Sequence, residues 1–252
     1  MAIRPSRASD ARVLGIETGG EHLSAALLAV SDADGITLLH EVTAHRGHQH
    51  ADLVLTLVDE VLARAGMTAA DLALVGVGRG PGSFTGIRVG LSSALGLTIA
   101  TGVPVWPVCS LEAMACHVPR GYALPMFDAR RGEVYAGLFR VGGEGAVEVV
   151  LAPRAATCEA ALAAVANALP DERSAGARDD ILIFGSGAIT YGVASPVGPA
   201  LHVGAARHVA WLAARQWMAA GRDGALAPPV DAAYLRRSEA EIAADAREAR
   251  GE

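Results

Sequence analysis

The chain has 252 residues, 52% of them hydrophobic, and carries a formal net charge of -6. This hydrophobic content supplies enough core for one two-lobed unit or for two domains. The negative charge argues against a free-standing nucleic-acid binder, which would normally present a basic face. All 21 lysine-or-arginine positions are arginine, so a Schiff base and a Walker A phosphate loop, which both need a lysine, are excluded.

The sequence carries no pattern typical of secretion, a membrane span or a cysteine metal site. Residues 1–12 are polar and lack the apolar region of a signal peptide. Residues 89–106 approach membrane length, but glycine, serine, threonine and proline interrupt them, so we interpret the stretch as a buried helix and strand. Cys109, Cys116 and Cys158 lack metal or redox spacing and are expected to be reduced thiols. We therefore expect a cytoplasmic protein.

The chain begins with three predicted strands, residues 13–17, 22–30 and 36–42, which turn residues separate. An amphipathic helix follows from His50, with an apolar stripe for packing on the sheet. His45, His48 and His50 precede or open this helix. No pair of them has the i, i+4 spacing of a metal site, so we expect exposed or capping histidines.

The most distinctive stretch follows a short apolar run, residues 72–77, that predicts a buried strand. A glycine-rich loop comes next, and a helix is predicted over residues 86–101 with Gly102 as its C-cap. The loop residues are Gly80, Pro81, Gly82, Ser83, Phe84 and Thr85. A strand, such a loop and a helix N-terminus can bind an anion; alternatively, the glycines only let the turn fold. Neither the dinucleotide spacing nor a nucleophile elbow is present.

The predicted helix over residues 86–101 is apolar nearly all round. Gly86, Gly90 and Ala94 lie four residues apart, so one stripe carries only small side chains. Interior glycines cost roughly 1 kcal/mol each relative to alanine, and close backbone packing would compensate. A helix of this kind is normally buried on both sides. Its own sheet can cover one side, and a second helix of the same chain or another subunit can cover the other.

The second half repeats the alternation of strands and helices. Strands are predicted at residues 122–129 and 133–141, and Thr157 can cap an alanine-rich helix that Pro170 ends. Residues 171–180 form a polar loop, and the strand after it leads to Gly185 and Gly187, which are either nucleotide neighbours or a plain turn. An amphipathic helix starts at residue 206. In the tail, Tyr234, Leu235 and Arg236 dock on the body or on a partner, or stay solvated.

Residues 78–97, GRGPGSFTGIRVGLSSALGL, and 103–115, VPVWPVCSLEAMA, resemble the TsaB (YeaZ) family. Weaker matches lie at residues 13–28, 50–62, 128–139 and 232–237, where Ala232 replaces a proline of the family. The resemblance implies an α/β fold of the actin-like, Hsp70-like and sugar-kinase (ASKHA) class, with two related α/β lobes and mixed sheets. It implies a first lobe over residues 1–108 joined by the 205–221 helix, a smaller lobe over 109–204, and a tail over 222–252.

The resemblance further implies a non-catalytic subunit that binds and activates a TsaD-type transferase. That enzyme forms threonylcarbamoyladenosine next to the anticodon of tRNAs reading ANN codons. The implied partners are the TsaD-type subunit, a TsaE-type ATPase through the complex, a second copy when the chain is alone, and tRNA indirectly, with no membrane. The implied partner interface uses the two N-terminal-lobe helices, at His50, Leu53, Val54, Leu57, Gly86, Val89, Gly90, Ser93, Ala94 and Leu97.

Two departures argue against catalysis by this chain. Glu17 stands where relatives in the fold class carry an aspartate that organises metal and phosphate, and the extra methylene puts ATP hydrolysis in doubt. Ser110 and Met114 stand where the TsaD family carries His-x-x-x-His, and neither replaces imidazole as a metal ligand. We therefore expect no catalytic residue, no metal and no required cofactor.

Other functions remain open at this point. One is the binding of ATP or ADP at the interface of the complex, with Thr18, Gly185 and Gly187 as candidate neighbours of the nucleotide. An actin-fold ATP-binding protein, ATPase or kinase is an alternative function. A peptidase of the glycoprotease-like family is a weaker one, because no Ser-His or zinc His-Glu motif supports it.

Overall fold

A computed structural model of the chain describes residues 10–32, 35–45, 50–169 and 181–235. The side chains of residues 50–52 and of residue 144 lie outside this description. The predictions made for His48, for Pro170 with the loop 171–180, and for Arg236 concern residues outside it as well.

The first sheet has five strands in the order β3-β2-β1-β4-β5. They are β1 (Ala11–Glu17), β2 (His22–Ser31), β3 (Gly35–His45), β4 (Leu74–Gly78) and β5 (Val105–Val108). The first three strands are antiparallel neighbours, whereas β4 pairs in parallel with both β1 and β5. The helices α1 (His50–Arg64) and α2 (Phe84–Thr101) connect β3 to β4 and β4 to β5. The three predicted N-terminal strands and the strand before the glycine-rich loop are confirmed.

The second sheet has four strands in the order β8-β7-β6-β9. They are β6 (Gly121–Arg130), β7 (Glu133–Val141), β8 (Val147–Thr157) and β9 (Ile181–Phe184). Its helices are α3 (Ser110–Ala115), α4 (Cys158–Ala168) and α5 (Ser186–Thr190), and α6 (Ala206–Ala219) follows. Thr157 caps α4 as predicted, because its hydroxyl accepts a hydrogen bond from the Ala160 amide at 3.2 Å. Two mixed sheets with helices confirm the predicted α/β class.

The two faces of the first sheet pack against different helices. Leu14 and Ile16 of β1 belong to the core that α1 and α2 cover. Val13 belongs to the core on the opposite face, which α6 covers. This division follows from the alternation of side chains along a strand. Trp106 of β5 joins the sheet to α6, since its indole Nε1 donates to Gln216 Oε1 at 2.7 Å.

The helix α2 begins and ends with the caps that its sequence favours. Ser83 Oγ accepts a hydrogen bond from the Gly86 amide, and Gly102 adopts a left-handed conformation with φ 79°. Among the residues that the structure describes, α2 is the one helix long and apolar enough to cross a membrane by length and composition. The core helix of a soluble protein passes the same test, and one face of α2 is buried against its own lobe.

The helix α6 approaches the sheet so closely that its neighbour in β1 has to be glycine. A Cβ atom at Gly15 would lie 2.2 Å from the Ala206 carbonyl oxygen and 2.8 Å from the Ala210 Cβ. Both of these positions on α6 are themselves alanine and fully buried. The sheet and the helix therefore pack nearly backbone to backbone at this point.

Gly15→Ala should lower the free energy of unfolding by about 3 kcal/mol or more, because the added methyl group meets a backbone that cannot move independently. Gly198→Ala is the matched control, since a Cβ atom there meets nothing within 4 Å. Urea unfolding of both variants measures the difference. Equal stabilities for the two variants would contradict the close approach of α6.

Candidate functional site

Three segments of the chain meet at the carboxyl ends of β1 and β4. The turn after β1 contacts the glycine-rich loop, because the Ser83 amide donates to the Gly19 carbonyl oxygen at 2.8 Å. Ser110, the first residue of α3, contacts the same loop twice. Its amide donates to the Gly80 carbonyl oxygen at 2.8 Å, and its hydroxyl accepts from the Gly80 amide at 3.3 Å. We call this region the Glu17 crevice, after the side chain that lies in it.

Glu17 is buried, with 1% of its surface exposed. Its Oε1 atom accepts hydrogen bonds from the amides of Thr18 at 2.8 Å and Gly19 at 2.7 Å. Its Oε2 atom has no hydrogen bond of ordinary geometry, although the Ser110 hydroxyl lies beside the carboxyl group. Burial raises the pKa of Glu17, and the Gly19 amide, the Ser110 hydroxyl and the Thr18 amide oppose this rise.

The glycine-rich loop uses its amides inside the chain. The amides of Gly80 and Ser83 donate to Ser110 and Gly19, as described above. Pro81 is buried, and Gly82 is half-buried. Phe84 and Thr85, which begin α2, are exposed. The loop thus holds the crevice closed through its own hydrogen bonds, and anion binding by the loop stays a prediction.

Ser110 and Met114, which the resemblance aligns with the histidine pair of the TsaD family, are both buried in the chain. Met114 is fully buried in an apolar cluster of the second lobe. Ser110 is 1% exposed and holds the glycine-rich loop. In the described ranges, no group of three or more histidine, cysteine, aspartate or glutamate side chains could hold a metal ion. The loss of metal chemistry remains a prediction from the sequence.

The structure shows what the small-residue stripe of α2 packs against in the single chain. The small-residue stripe of α2 faces the interior of its own lobe, because Gly86, Gly90 and Ala94 are all buried within the single chain. A Cβ atom at Gly90 would lie 2.3 Å from the Thr18 hydroxyl oxygen, so the stripe lets α2 approach the turn after β1. Val54 and Leu57 of α1 are buried as well. These five residues are buried in the single chain, and their part in a partner interface stays a prediction.

The remaining predicted interface residues lie at the margin between the core and the surface. Leu53, Val89, Ser93 and Leu97 are half-buried, and the side chain of His50 lies outside the description. Whether α1 and α2 contact a partner stays a prediction.

The outward face of α2 carries exposed apolar residues that are not among the predicted interface residues. Ile99 is 87% exposed and Leu95 is 40% exposed, and Leu55 on the neighbouring α1 is 46% exposed. Phe84 and Arg88 continue this face toward the start of α2, because both are exposed and precede Leu95 by 11 and 7 residues. The helical spacing was available in the sequence. However, apolar residues on every side of α2 gave no means of choosing which face is outward.

The C-terminal segment docks on the body of the chain, which answers one question that the sequence left open. Tyr234 stacks on Phe84 with ring centroids 5.0 Å apart, and Arg88 Nε donates to the Tyr234 hydroxyl at 3.1 Å. Asp231 forms an ion pair with Arg79 at 2.7 Å. The segment thus crosses the glycine-rich loop and the start of α2.

The second-lobe glycines are explained by backbone packing. A Cβ atom at Gly185, where φ is 104°, would lie 2.2 Å from the Met126 carbonyl oxygen, and one at Gly187 would lie 2.9 Å from the Phe127 carbonyl carbon. The Gly185 amide donates to His202 Nδ1 at 3.1 Å. Thr18, the third predicted nucleotide neighbour, is fully buried against α2. Nucleotide contact at these residues stays a prediction.

Two histidines pack against each other between α3 and α6. The rings of His117 and His208 lie edge to face, with centroids 4.5 Å apart, and His117 Nε2 lies 3.0 Å from the Val203 carbonyl oxygen. Burial lowers the pKa of His117 to about 4 and that of His208 to about 3. The positive charge of Arg207, which pairs with Glu41, contributes to both of these lowered pKa values, and His117 contributes to that of His208. Both imidazoles are therefore neutral near pH 7.

These features define a two-lobed α/β protein whose inter-lobe crevice is filled by its own side chains. A solved Pseudomonas aeruginosa structure, described as similar to peptidase YEAZ, aligns with a TM-score of 0.70 and 24% identity over 90% of this chain and 100% of that one. The structure titled YeaZ from Pseudomonas aeruginosa aligns with a TM-score of 0.66 and 24% identity over 89% and 100%. These neighbours agree with the actin-like two-lobed fold expected from the sequence.

A family model described as TsaD: tRNA N6-adenosine threonylcarbamoyltransferase matches residues 37–177, which is more than half of the chain. The chain belongs to this family.

The names of curated relatives show which proteins the chain resembles within this family. The tRNA threonylcarbamoyladenosine biosynthesis protein TsaB of Bacillus subtilis is 34% identical over 130 residues, 51% of this chain and 55% of that protein. TsaB of Escherichia coli is 36% identical over 128 residues, 49% and 53% of the two chains. The matches therefore span about half the length of these relatives. They confirm the resemblance to TsaB (YeaZ) that the glycine-rich loop and α2 indicated.

Two glycines of α2 should respond to alanine in opposite ways. Gly90→Ala should destabilise the chain by about 1–2 kcal/mol, because the new methyl group collides with Thr18 and overpacking outweighs the gain in helix propensity. Gly96→Ala should stabilise it by about 0.5–1 kcal/mol, because a Cβ atom there meets nothing within 4 Å. Thermal and urea unfolding test both variants. A stabilised Gly90→Ala protein would contradict the inward orientation of the stripe.

Acidification should destabilise the chain through the histidine pair. The folded-state pKa values, about 4 for His117 and about 3 for His208, lie below the ordinary value of 6.5. Their contribution is therefore complete above about pH 6.5 and is lost as the pH falls toward 4. Between pH 7.5 and 5.5 we expect a loss on the order of 1 kcal/mol per histidine. Urea unfolding of the chain and of His208→Gln measures it, and an equal loss in both would contradict this assignment.

Proposed function

We propose that this chain is a non-catalytic partner subunit that binds and activates a TsaD-type transferase. The complex would form threonylcarbamoyladenosine next to the anticodon of tRNAs reading ANN codons. The names of the curated relatives, which are tRNA threonylcarbamoyladenosine biosynthesis proteins, support this process. The family match supports a common architecture with the transferase itself.

The observation that carries the partner role is the exposed apolar face of α2. We call it the α2 outer face, and it consists of Leu95 and Ile99, which lie four residues apart on the helix; Leu55 of the neighbouring α1 is exposed as well. Ile99 exposes 87% of its surface to solvent. Large exposed apolar side chains that cluster on one surface mark sites of protein association. The inner face of the same helix is fixed in the core, so a partner can bind without any rearrangement of the lobe.

The remaining parts of the proposal follow from the same role. The chain alone would use the α2 outer face to form a homodimer, and the TsaD-type subunit would replace the second copy. A TsaE-type ATPase would contact the chain through the complex, and tRNA would be bound indirectly, which fits a net charge of -6. The protein would work in the cytoplasm without a cofactor of its own. ATP or ADP would be held, if anywhere, at the interface of the complex.

Leu95→Glu combined with Ile99→Glu should reduce affinity for the TsaD-type subunit at least about tenfold. Burying one isoleucine contributes about 1.5–3 kcal/mol to association, and two buried carboxylates oppose it further. The melting temperature of the monomeric chain should change little, because both side chains are exposed in the single chain. Calorimetric titration measures the affinity, and threonylcarbamoyladenosine formation on tRNA measures the activation.

Ile189→Glu provides a matched control, since Ile189 is 57% exposed on α5 of the second lobe. It should leave both the affinity and the activation unchanged. If the double variant binds and activates normally, the α2 outer face is not the partner surface. If Ile189→Glu alone weakens binding, the second lobe carries the contact instead.

A further inference from the structure

The Glu17 crevice lies between the turn after β1, the glycine-rich loop and the start of α3. In this chain the space is taken by a side chain of the protein itself. A Cβ atom at Gly78 would lie 2.3 Å from Glu17 Oε2, and one at Gly204 would lie 3.1 Å from Glu17 Cγ. The glycines at these positions therefore make room for the Glu17 side chain.

The backbone holds the carboxyl group of Glu17 in the way that it would hold a bound anion. Two successive amides, those of Thr18 and Gly19, point at the same oxygen atom, Oε1, at 2.8 and 2.7 Å. Successive amides that converge in a turn form anion-binding concavities in many proteins. Oε2 is buried and has no hydrogen bond of ordinary geometry, and the Ser110 hydroxyl lies next to the carboxyl group.

A nucleotide phosphate with a metal ion does not fit this crevice. The turn after β1 and the glycine-rich loop touch each other, because a Cβ atom at Gly82 would lie 2.5 Å from the Gly19 carbonyl oxygen. The Ser83 amide is bonded across the same gap. The second lobe closes the opening, since a Cβ atom at Gly20 would lie 3.7 Å from the Phe127 ring.

We propose that the Glu17 carboxyl is an internal ligand of an anion site formed by the turn after β1. Removing the side chain would open a site for a small carboxylic acid and would leave the crevice closed to nucleotides. Glu17→Ala removes one CH₂ and the carboxyl group beyond Cβ, and these atoms correspond to acetic acid. Acetate is therefore the ligand of matching size, whereas propionate is one methylene too long.

The experiment titrates sodium acetate into Glu17→Ala and measures the melting temperature, with sodium chloride at equal ionic strength as the reference. We expect the melting temperature to rise by about 3 °C when acetate is at ten times its Kd, and the rise to saturate. Propionate should act more weakly than acetate at the same concentration. Mg-ATP should produce no rise.

Glu17→Gln is the matched control, because an amide of the same length keeps the crevice filled. It accepts from the same two backbone amides and offers its NH₂ group to Ser110. Neither this variant nor the unchanged chain should respond to acetate. If Glu17→Ala does not fold at 20 °C, the same titration is followed by recovery of the folded circular-dichroism signal.

Three results would overturn the proposal. They are no response of Glu17→Ala to acetate in either measurement, an equal response of all three proteins, and stabilisation of Glu17→Ala by Mg-ATP in preference to acetate. The first would mean that water fills the space left by Glu17. The second would place the acetate effect elsewhere on the surface.

Discussion

The central strand β1 is the element on which the other contacts of the first lobe depend. Within five residues it contacts α6, the Glu17 crevice and the core that α1 and α2 cover. Val13, Gly15 and Glu17 share one face by the alternation of a strand, and Leu14 and Ile16 share the other. The first face receives α6 at Gly15 and ends in the Glu17 crevice. The second face forms the core with α1 and α2. A shift of one residue in register would exchange the two faces and lose all three contacts at once.

The burial of Glu17 explains why the crevice is stable without a ligand. Moving a carboxyl group out of water is costly unless hydrogen bonds replace those it loses. Here Oε1 accepts hydrogen bonds from two backbone amides, which oppose the rise in the Glu17 pKa that burial causes. A carboxylate that organises a metal has to keep its oxygen atoms directed at the metal. In this chain the Glu17 carboxyl is directed at the amides of its own turn.

Local patterns in the sequence predicted most of the fold. Apolar runs divided by turn residues predicted strands of both sheets, and Gly102 and Thr157 marked helix boundaries that the structure confirms. The orientation of α2 could not be obtained in this way, because a helix with apolar side chains on all faces has no preferred face. The contact of Tyr234 with Phe84 joins residues 150 positions apart and depends on the path of the whole chain. The same applies to the bond between Ser110 and Gly80.

The two faces of α2 differ in what they contribute to the fold. Its small residues let the helix approach the turn after β1, so any change there is felt in the fold. Its large residues Leu95 and Ile99 are exposed and contribute little to the fold. The family match over residues 37–177 includes this helix. It also includes Ser110, which the resemblance aligns with a histidine of the TsaD family. Since Ser110 is occupied with the glycine-rich loop, the match is best explained by a shared architecture, in which one face of α2 packs in the lobe and the other is exposed.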